Sequence, residues 1–356
     1  MASLLHFPSL CFSSPSYSNI PTIHLSPPIS SSSNAFNFSS VLTRQKPQIL
    51  GLCPRGIRRV PGNPNLPLRL QSIITTGPES QSQLKKREPM IPPYNVLITG
   101  STKGIGYALA KEFLKSGDNV IICSRSAERV ESAVQNLNEE FGAQRVSGTV
   151  CDVRKGDEIK KLVTFARDKL KYIDIWINNA GSNAYTYKPL SEASDEDLIE
   201  VVTTNTLGLM ICCREAIMMM SNQPRGGHIF NIDGAGSDGR PTPRFAAYGA
   251  TKRSVVHLTK SLQAELQMQE VKNVMVHNLS PGMVTTKLLM SGALTKQAKF
   301  FINVLAEPAE VVAEYLVTGI RSIPSSGSMK PTYIRFLTGL KAYSQIFSVK
   351  DTICCL

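Results

Sequence analysis

One short segment, NVLITGSTKGIG at Asn95–Gly106, constrains the fold of this chain more than any other. Its residues 96–98 are apolar at consecutive positions, as in a parallel strand that is covered on both faces. Gly100 then permits a sharp turn that a Cβ atom would block. Apolar side chains recur at helical spacing over residues 105–114, so the segment predicts a buried strand that turns directly into a helix.

The glycine turn also has the chemistry of a phosphate site. Glycines let the backbone come close to a ligand, and the free N–H groups at the start of the helix attract an anion. We therefore predict that the turn binds the pyrophosphate of a dinucleotide. A tight turn without a ligand is the alternative that glycines alone leave open. The predicted cofactor-binding residues here are Thr99, Gly100, Ser101, Lys103, Gly104, Ile105 and Gly106.

Strand and helix patterns alternate along the rest of the chain. Strands are predicted over residues 95–99, 119–123, 145–150, 174–177, 228–232, 274–279 and 332–336, and helices over 104–117, 126–141, 155–171, 194–221, 244–269 and 308–321. We predict an α/β fold with a single doubly wound, mostly parallel sheet of seven strands and helices on both faces. Ligands of such sheets bind at the carboxyl ends of the strands, so the chemistry is expected there.

Residues 1–78 differ from the rest in composition, because they are rich in Ser and Pro and contain six Lys or Arg but no Asp or Glu. This composition is typical of an organelle transit peptide, and its Ser-rich beginning favours the chloroplast over the mitochondrion. A disordered tail of a cytosolic protein is the alternative. We predict a disordered transit peptide over 1–78, a linker over 79–93, a folded domain over 94–340 and a C-terminal tail over 341–356.

Charge and cysteine spacing argue against several other classes of site. Half of the net charge of +12 lies in residues 1–78, and no Lys/Arg run with interleaved aromatic residues follows, so we expect no nucleic acid as a partner. The eight cysteines have no CxxC spacing and the five histidines are scattered, so we expect no metal. No run of about 18 apolar residues occurs, which predicts no membrane span.

The residues after the second, third and fourth strands indicate which dinucleotide is bound. A site selective for NAD usually has an acid after the second strand, whereas this chain has Arg125. Arg125 and Lys103 both suit a 2′-phosphate, so we predict NADP(H), with NAD(H) as the second choice. Two solvated surface cations are the alternative. We expect Asp152 and Val153 at the adenine, and Asn179, Ala180 and Gly181 at the ribose.

Acid–base chemistry is predicted on the helix over 244–269, in the sequence YGATK at Tyr248–Lys252. Residues four apart on a helix share a face, and an ammonium beside a phenol lowers the phenol pKa from about 10. Tyr248 could then exchange a proton near neutral pH. The same spacing occurs at Tyr107 and Lys111, but only Tyr248 follows the fifth strand, at the edge where the nicotinamide is expected.

Two further segments complete the predicted site. Asn205 lies inside the helix over 194–221 and is predicted to anchor a backbone group or a water behind the site; a solvated helix Asn is the alternative. After the sixth strand, Pro281, Gly282 and Val284 belong to a rigid turn whose free backbone groups suit a carboxamide.

In this order, the segments resemble the short-chain dehydrogenase/reductase family over roughly residues 94–320. The matching segments are Thr99–Gly106, Asn178–Gly181, Asn205, Tyr248–Lys252 and Ser280–Gly282. The resemblance implies a Rossmann-type fold and hydride transfer between a nicotinamide and a carbonyl or alcohol carbon. It also implies that Tyr248 is the acid/base, that Lys252 lowers its pKa and holds the ribose, and that Asn205 belongs to a water relay.

The chain departs from the family at the serine that orients the substrate. The family's N-I-S-S run is replaced by NIDGAGS at Asn231–Ser237, so Gly234 or Ala235 takes the place of the serine, depending on the direction of counting. Ser237 is predicted to supply the missing hydroxyl if the glycine-rich loop bulges. The backbone N–H groups of Gly234–Gly236 are the alternative.

Within the family, the chain is most similar to the plant chlorophyll(ide) b reductases without a membrane span, in the segments His228–Gln267, Asn178–Tyr185 and Met329–Gly339. That resemblance implies reduction of the C7 formyl group of chlorophyll b or chlorophyllide b to 7-hydroxymethyl with NAD(P)H. It implies the chloroplast stroma at the thylakoid surface and a membrane-spanning paralogue as a partner, and we expect an oligomer.

The apolar segment Thr286–Leu305, in the usual lid position, suits a large flat pigment, with ordinary helix packing as the alternative. Two other functions stay open from the residues. One is a plastid reductase of a fatty-acyl or terpenoid carbonyl. The other is a non-catalytic subunit that stabilises an active paralogue, which the missing serine keeps open.

Overall fold

The computed structural model describes residues 90–184, 188–290, 296–328 and 330–353. The transit peptide predicted over 1–78, residues 79–89 of the predicted linker, and Cys354 and Cys355 lie outside these residues. All structural statements below refer to the described part of the chain.

The described residues form a seven-stranded parallel sheet with helices on both faces, which confirms the predicted fold class. The strand order is β3-β2-β1-β4-β5-β6-β9, and each neighbouring pair is parallel. Its strands are β1 (Asn95–Thr99), β2 (Asn119–Ser124), β3 (Val146–Val150), β4 (Ile175–Asn178), β5 (Gly227–Ile232), β6 (Val274–Ser280) and β9 (Tyr333–Arg335).

Most helices lie between consecutive strands, near the predicted bounds. They are α1 (Gly104–Lys115), α2 (Ala127–Phe141), α3 (Gly156–Leu170), α4 (Asp195–Val202), α5 (Leu209–Ser221), α6 (Ala246–Met268), α7 (Lys287–Met290), α8 (Lys296–Leu305), α9 (Ala309–Ser325) and α10 (Gly339–Ile353). A single 3₁₀ turn at Leu190–Glu192 precedes α4. A separate parallel ladder joins β7 (Met283–Val284) to β8 (Ala306–Glu307).

The consecutive apolar residues of β1 are explained by two cores, one on each face of the sheet. Val96 and Ile98 pack with residues of α1 and α9, whereas Leu97 packs on the opposite face with Trp176 and residues of α3 and α5. Successive strand residues point to opposite faces, so a strand that is covered on both sides needs apolar residues at every position.

The predicted helix over 194–221 is continuous but changes its winding in the middle. Thr203–Gly208, between α4 and α5, is a π-helical segment. The stretch Asp195–Ser221 has 27 residues and contains an 18-residue window with a mean hydropathy of 1.2, so by length and composition alone it could cross a membrane. In this fold it packs against α3 and α6.

The region after β6 contains elements that the sequence pattern did not predict. The β7–β8 ladder and the short helix α7 have too few residues for a periodicity to be recognised. Helix α10 packs against α8, and the domain boundary predicted at residue 340 falls in its first turn. The predicted lid segment Thr286–Leu305 therefore includes α7 and α8, with residues 291–295 outside the described part.

Two buried carboxylates lie at the amino ends of the strands, opposite the predicted site. Asp118 accepts a hydrogen bond from the backbone N of Tyr94 at 2.9 Å and is paired with Arg321. Asp174 accepts from the backbone N of Asn95 at 2.9 Å and is paired with Arg225. Charged groups are stable in such positions only when paired and hydrogen-bonded, so these residues contribute to the fold.

Candidate active site

The glycine turn after β1 lies against the loop after β4. Gly100 has a φ of 63°, and an ideal Cβ atom on it would lie 2.8 Å from the Cα atom of Ala180. An ideal Cβ on Gly106 would lie 2.3 Å from Nδ2 of Asn179. Both positions therefore exclude a side chain, and the backbone forms an open cradle at the start of α1.

The polar side chains predicted at the pyrophosphate mostly hold the turn itself. Oγ1 of Thr99 accepts hydrogen bonds from the backbone N of Asn179 and of Ala180, both at 3.1 Å. Nδ2 of Asn179 donates to the carbonyl oxygens of Thr99 at 2.9 Å and Gly100 at 2.8 Å. Oγ of Ser101 donates to the carbonyl of Ile98 at 2.6 Å. These side chains shape the cradle and leave its backbone groups to a ligand.

The start of α1 is a good anion site by this geometry. Lys103 occupies the N-cap position, makes no side-chain cap hydrogen bond and is exposed. The first N–H groups of a helix have no intrahelical partners and carry positive partial charge. The cradle and these free donors fit a dinucleotide pyrophosphate.

Arg125, which we predicted at a 2′-phosphate, lies at the surface after β2. Its guanidinium is 3.4 Å from Oε1 of Glu200, and it is exposed. A cleft beside it is lined by side chains of the glycine turn and of α2, among them Thr102, Ser126 and Arg129. Ser126 caps α2 by accepting from the backbone N of Arg129 at 3.3 Å.

Sequence reasoning missed the contribution of α2 to this cleft. The signal was present, because a Ser followed by a helical pattern marks a helix N-terminus that can bind an anion. Ser126 and Arg129 therefore join Arg125 and Lys103 as candidates for a 2′-phosphate.

Asp152, predicted at the adenine, is already bound within the protein. Both of its carboxylate oxygens accept hydrogen bonds from Arg154, at 2.6–3.0 Å. Burial acts to raise the pKa of Asp152, but the hydrogen bonds from Arg154 outweigh it and hold the pKa below its ordinary value. Val153, next in the chain, is buried. Oδ1 also accepts from the backbone N of Arg154 at 3.0 Å, so four hydrogen bonds already reach this carboxylate.

The predicted catalytic residues converge at the carboxyl ends of β4 and β5. Nζ of Lys252 lies 5.6 Å from the ring centre of Tyr248 and donates to the carbonyl of Ile232 at 3.2 Å. An ideal Cβ on Gly181 would lie 3.7 Å from that Nζ atom and 3.5 Å from Oδ1 of Asn205. Four segments that are distant in sequence therefore meet around one point.

The pKa shifts of Tyr248 and Lys252 differ in one respect from what we expected from the sequence. Burial raises the pKa of Tyr248 above its ordinary value, and the nearby carboxylate of Asp233 raises it further. Burial lowers the pKa of Lys252 to about 8, against the opposing influence of Asp233. We predicted a phenol made acidic by the ammonium, whereas desolvation dominates at both side chains in this structure.

Asn205 connects the loop after β4 to helix α6. Its Oδ1 accepts from the backbone N of Ser182 at 2.8 Å, and its Nδ2 donates to the carbonyl of Ser182 at 2.8 Å and to Oγ1 of Thr251 at 3.1 Å. The residue lies in the π-helical segment, is buried, and is not the solvated helix Asn that we considered. π-Helical segments occur frequently at functional sites.

At Gly234, one of the two positions that could correspond to the family serine, the backbone itself lies next to the phenol. An ideal Cβ on Gly234 would lie 2.6 Å from Oη of Tyr248, so this glycine borders the phenol directly. Ser237 is buried, its backbone N donates to the carbonyl of Gly234 at 3.0 Å, and its hydroxyl contributes to the hydrogen bonding around Asp233 and Tyr333. Gly234 and Ser237 therefore both adjoin Asp233.

The turn after β6 reaches the glycine cradle. Gly282 has a φ of 72°, and Pro281 and Val284 on either side of it are buried. Thr286, two residues further, lies 3.4 Å from the position of an ideal Cβ on Gly104. The structure thus brings this turn to the same edge as the glycine turn. Among the described residues, no group of three or more His, Cys, Asp or Glu is placed to hold a metal ion.

Comparison with known proteins identifies the family. The short chain dehydrogenase family matches residues 94–297, which is more than half of the chain and includes the glycine turn, Asn205, Tyr248 and Lys252. The chain belongs to the short-chain dehydrogenase family. It is therefore an oxidoreductase, and the fold is one that binds NAD(H) or NADP(H).

The curated relatives share one activity in their names. The chain is 84% identical over 263 residues to "Chlorophyll(ide) b reductase NOL, chloroplastic" of rice, which is 74% of this chain and 77% of that protein. It is 82% identical to the protein of the same name from Arabidopsis thaliana, over 74% of this chain and 75% of that protein. A rice "Probable chlorophyll(ide) b reductase NYC1, chloroplastic" is 46% identical over 66% of this chain and 49% of that protein.

Solved structures show the same fold in this family of oxidoreductases. A 3-ketoacyl-(acyl-carrier-protein) reductase from Brucella melitensis complexed with NADH has a TM-score of 0.60, with 24% identity over 70% of this chain and 98% of that one. An actinorhodin polyketide ketoreductase with NADPH has a TM-score of 0.58, with 25% identity over 70% of this chain and 97% of that one.

Proposed function

We propose that this short-chain dehydrogenase reduces the C7 formyl group of chlorophyll b or chlorophyllide b to 7-hydroxymethyl. The observation that carries the proposal is the 82–84% identity to chlorophyll(ide) b reductases over 263 residues, which is 74% of this chain. Substrate specificity depends on the residues that line a site, and at such identity we expect this chain to share that lining.

In the proposed reaction, residues of this chain supply the proton. When bound, the reduced nicotinamide supplies the hydride. Tyr248 donates its phenolic proton to the oxygen of the formyl group as that oxygen becomes negative. Lys252, held by the carbonyl of Ile232 at 3.2 Å, places an ammonium charge beside the resulting phenolate. Lys252 is buried and Tyr248 is half-buried, so little water reaches the pair, which strengthens this interaction.

The contacts support the roles that we propose for Asn205 and Ser237. Asn205 holds the loop after β4 against α6, and we assign it to the route by which Tyr248 regains a proton. Ser237 is the proposed source of the hydroxyl that orients the substrate oxygen. The N–H groups of Gly234–Gly236 are the alternative, supported by the closeness of Gly234 to the phenol.

We assign the cofactor preference to NADP(H). Thr99, Gly100, Ser101, Gly104, Ile105 and Gly106 would form and line the pyrophosphate cradle, with Asn179, Ala180 and Gly181 at the ribose and Pro281, Gly282 and Val284 at the carboxamide. Arg125 and Lys103 would bind the 2′-phosphate, since both are exposed cations at the correct edge and no acid follows β2 directly. Asp152 and Val153 would border the adenine.

The same relatives support the location and the partner that we propose. The chain acts in the chloroplast, where its relatives are named as residing. We place it in the stroma at the thylakoid surface, because its substrate is a membrane pigment. The 46% identical relative is about twice the length matched here, and a membrane-spanning paralogue of that kind is the proposed partner, in an oligomeric assembly.

The deciding experiment incubates the purified protein with chlorophyllide b and either NADPH or NADH. Loss of the formyl-pigment absorption with NADPH, abolished by Tyr248→Phe, supports the proposal, and faster loss with NADH would contradict the cofactor assignment. Turnover of fatty-acyl or terpenoid carbonyls without turnover of the pigment would indicate another plastid reductase. A protein that binds its paralogue but has no activity would indicate a stabilising subunit.

A further inference from the structure

A buried carboxylate lies one residue before Gly234, next to the position where the family has its orienting serine. Asp233 follows β5 directly and is 2% exposed. Its backbone N donates to the carbonyl of Leu279 at 2.9 Å, so the residue continues the pairing of β5 with β6. A buried carboxylate is costly unless its charge is compensated, which makes its presence beside the active site informative.

The partners of Asp233 hold its side chain in place. Oδ2 accepts a hydrogen bond from the phenol of Tyr333 on β9. The hydroxyls of Ser280 and Ser237 also contribute hydrogen bonds to the carboxylate. The guanidinium of Arg335 lies 3.9 Å from the ring centre of Tyr333, so Tyr333 is itself held from its other side. Polar groups from three segments therefore fix the position of this carboxylate.

The chain neighbours of Asp233 contact both members of the catalytic pair. The carbonyl of Ile232, on one side, accepts the hydrogen bond from Nζ of Lys252 at 3.2 Å. Gly234, on the other side, borders Oη of Tyr248 and has Cγ of Lys252 3.2 Å from the position of an ideal Cβ. The backbone on both sides of Asp233 thus adjoins the two groups that must exchange a proton. Burial raises the pKa of Asp233, and the hydrogen bonds from Tyr333, Ser280 and Ser237, together with the charge of Lys252, oppose that change.

We propose that Asp233 is a positioning residue of the reductase site, whose carboxylate holds the Lys252 ammonium in its charged form and is itself held by Tyr333. This proposal rests on the function proposed above.

The charged and polar groups around Asp233 determine the sign of the expected pH effect. They are Tyr248 and Lys252 on α6, Tyr333 and Arg335 on β9, Ser280 on β6 and Ser237 in the loop after β5. Burial lowers the pKa of Lys252 to about 8, and the Asp233 carboxylate opposes that change. Without the carboxylate, Lys252 loses its proton at a lower pH, and activity that needs the ammonium falls at a lower pH.

The test measures kcat/KM for pigment reduction against pH in the full chain and in three variants. We expect that in Asp233→Asn the alkaline fall of kcat/KM occurs at a pH about one unit lower than in the wild type. Tyr333→Phe should shift this fall in the same direction by a smaller amount. Asp118→Asn is the matched control, because it removes a buried carboxylate at the opposite edge of the sheet. Asp118→Asn should lower the unfolding temperature and leave the pH of the alkaline fall in kcat/KM unchanged.

A second readout does not depend on the reaction. The reactivity of Lys252 toward acetic anhydride, followed by mass spectrometry across pH, reports its deprotonation directly. The half-reactivity pH should fall by about one unit in Asp233→Asn. An unchanged half-reactivity pH in Asp233→Asn and Tyr333→Phe would overturn the proposal, even if both variants lost activity. A wild-type protein that does not reduce the pigment but shows the shift would overturn only the proposed function.

Discussion

Gly234 borders the phenol of Tyr248 so closely that an ideal Cβ atom would lie 2.6 Å from Oη. The family places a serine at or next to this position, whereas this chain needs the space for the phenol itself. The backbone of Gly234 therefore lies directly against the phenolic oxygen of Tyr248.

Gly234→Ala should therefore displace Tyr248 and lower kcat at least about tenfold, since a small misplacement of a catalytic group costs that much or more. The measurement is steady-state reduction of chlorophyllide b. Gly339→Ala is the matched control, because nothing lies within 4 Å of its Cβ position, and it should retain wild-type kcat. Wild-type activity in Gly234→Ala would show that the phenol is not held where the structure places it.

Ser237→Ala tests the source of the orienting hydroxyl. If Ser237 orients the substrate oxygen, kcat should fall by at least about tenfold, in the range found for loss of one stabilising donor. Retention of kcat within about threefold, less than roughly 1 kcal/mol, would reject Ser237 and favour the N–H groups of Gly234–Gly236. The same variant should leave the KM for NADPH unchanged, because the Ser237 hydroxyl lies with Asp233 and Tyr333 and not at the glycine turn.

The two Tyr-x-x-x-Lys pairs of the chain provide a matched experiment. Lys252→Met should lower kcat by about a hundredfold or more, because the phenolate loses its compensating charge. Lys111→Met removes the other lysine, which makes an ion pair with Glu140 at 2.7 Å on the surface, and should leave kcat unchanged. Equal losses of kcat in the two variants would show that a position after the fifth strand does not distinguish the catalytic Tyr–Lys pair from the other one.

Arg125→Glu tests the preference for NADP(H). The variant places a negative charge beside Glu200 at the proposed 2′-phosphate position, so the KM for NADPH should rise at least about tenfold while the KM for NADH changes little. Arg167→Glu, an exposed substitution of the same kind in the last turn of α3, serves as the control. A KM for NADPH that stays the same in Arg125→Glu would assign the phosphate to other residues, with Arg129 tested next.

The helix that carries Tyr248 and Lys252 is fixed to the sheet by a buried polar network. Asn231 donates through Nδ2 to Oγ1 of Thr259 at 3.0 Å, and Thr259 donates to Oδ1 of Asn278 at 2.9 Å. Thr259→Val should lower the free energy of unfolding by about 1–3 kcal/mol, because two buried polar groups lose their partner. Urea denaturation measures this change.

Thr318→Val is the control for that substitution. Thr318 is exposed on α9 and its hydroxyl donates only within its own helix, to the carbonyl of Glu314 at 2.8 Å. The expected change in stability is within about 0.5 kcal/mol. Similar losses in the two variants would contradict an anchoring role for the network.

The alternation of strands and helices was predictable because each signal is local. Consecutive apolar residues over 96–98 indicated a strand buried on both faces, and the two cores on either side of β1 explain that pattern. Helix α10 and the β7–β8 ladder were not predicted, because their stability comes from packing and pairing with distant residues and not from a pattern of their own.

The sequence by itself determined the chemical groups of the site and their order: a glycine turn, an amide in a helix, and a phenol four residues before an amine. Tertiary structure alone decided their electrostatic state. Asp233 is a polar residue in a glycine-rich loop when read along the chain, and only the meeting of β5, β9 and α6 makes it a buried charge beside Lys252. Desolvation depends on which atoms surround a group in space, and those atoms come from segments that a local pattern cannot bring together.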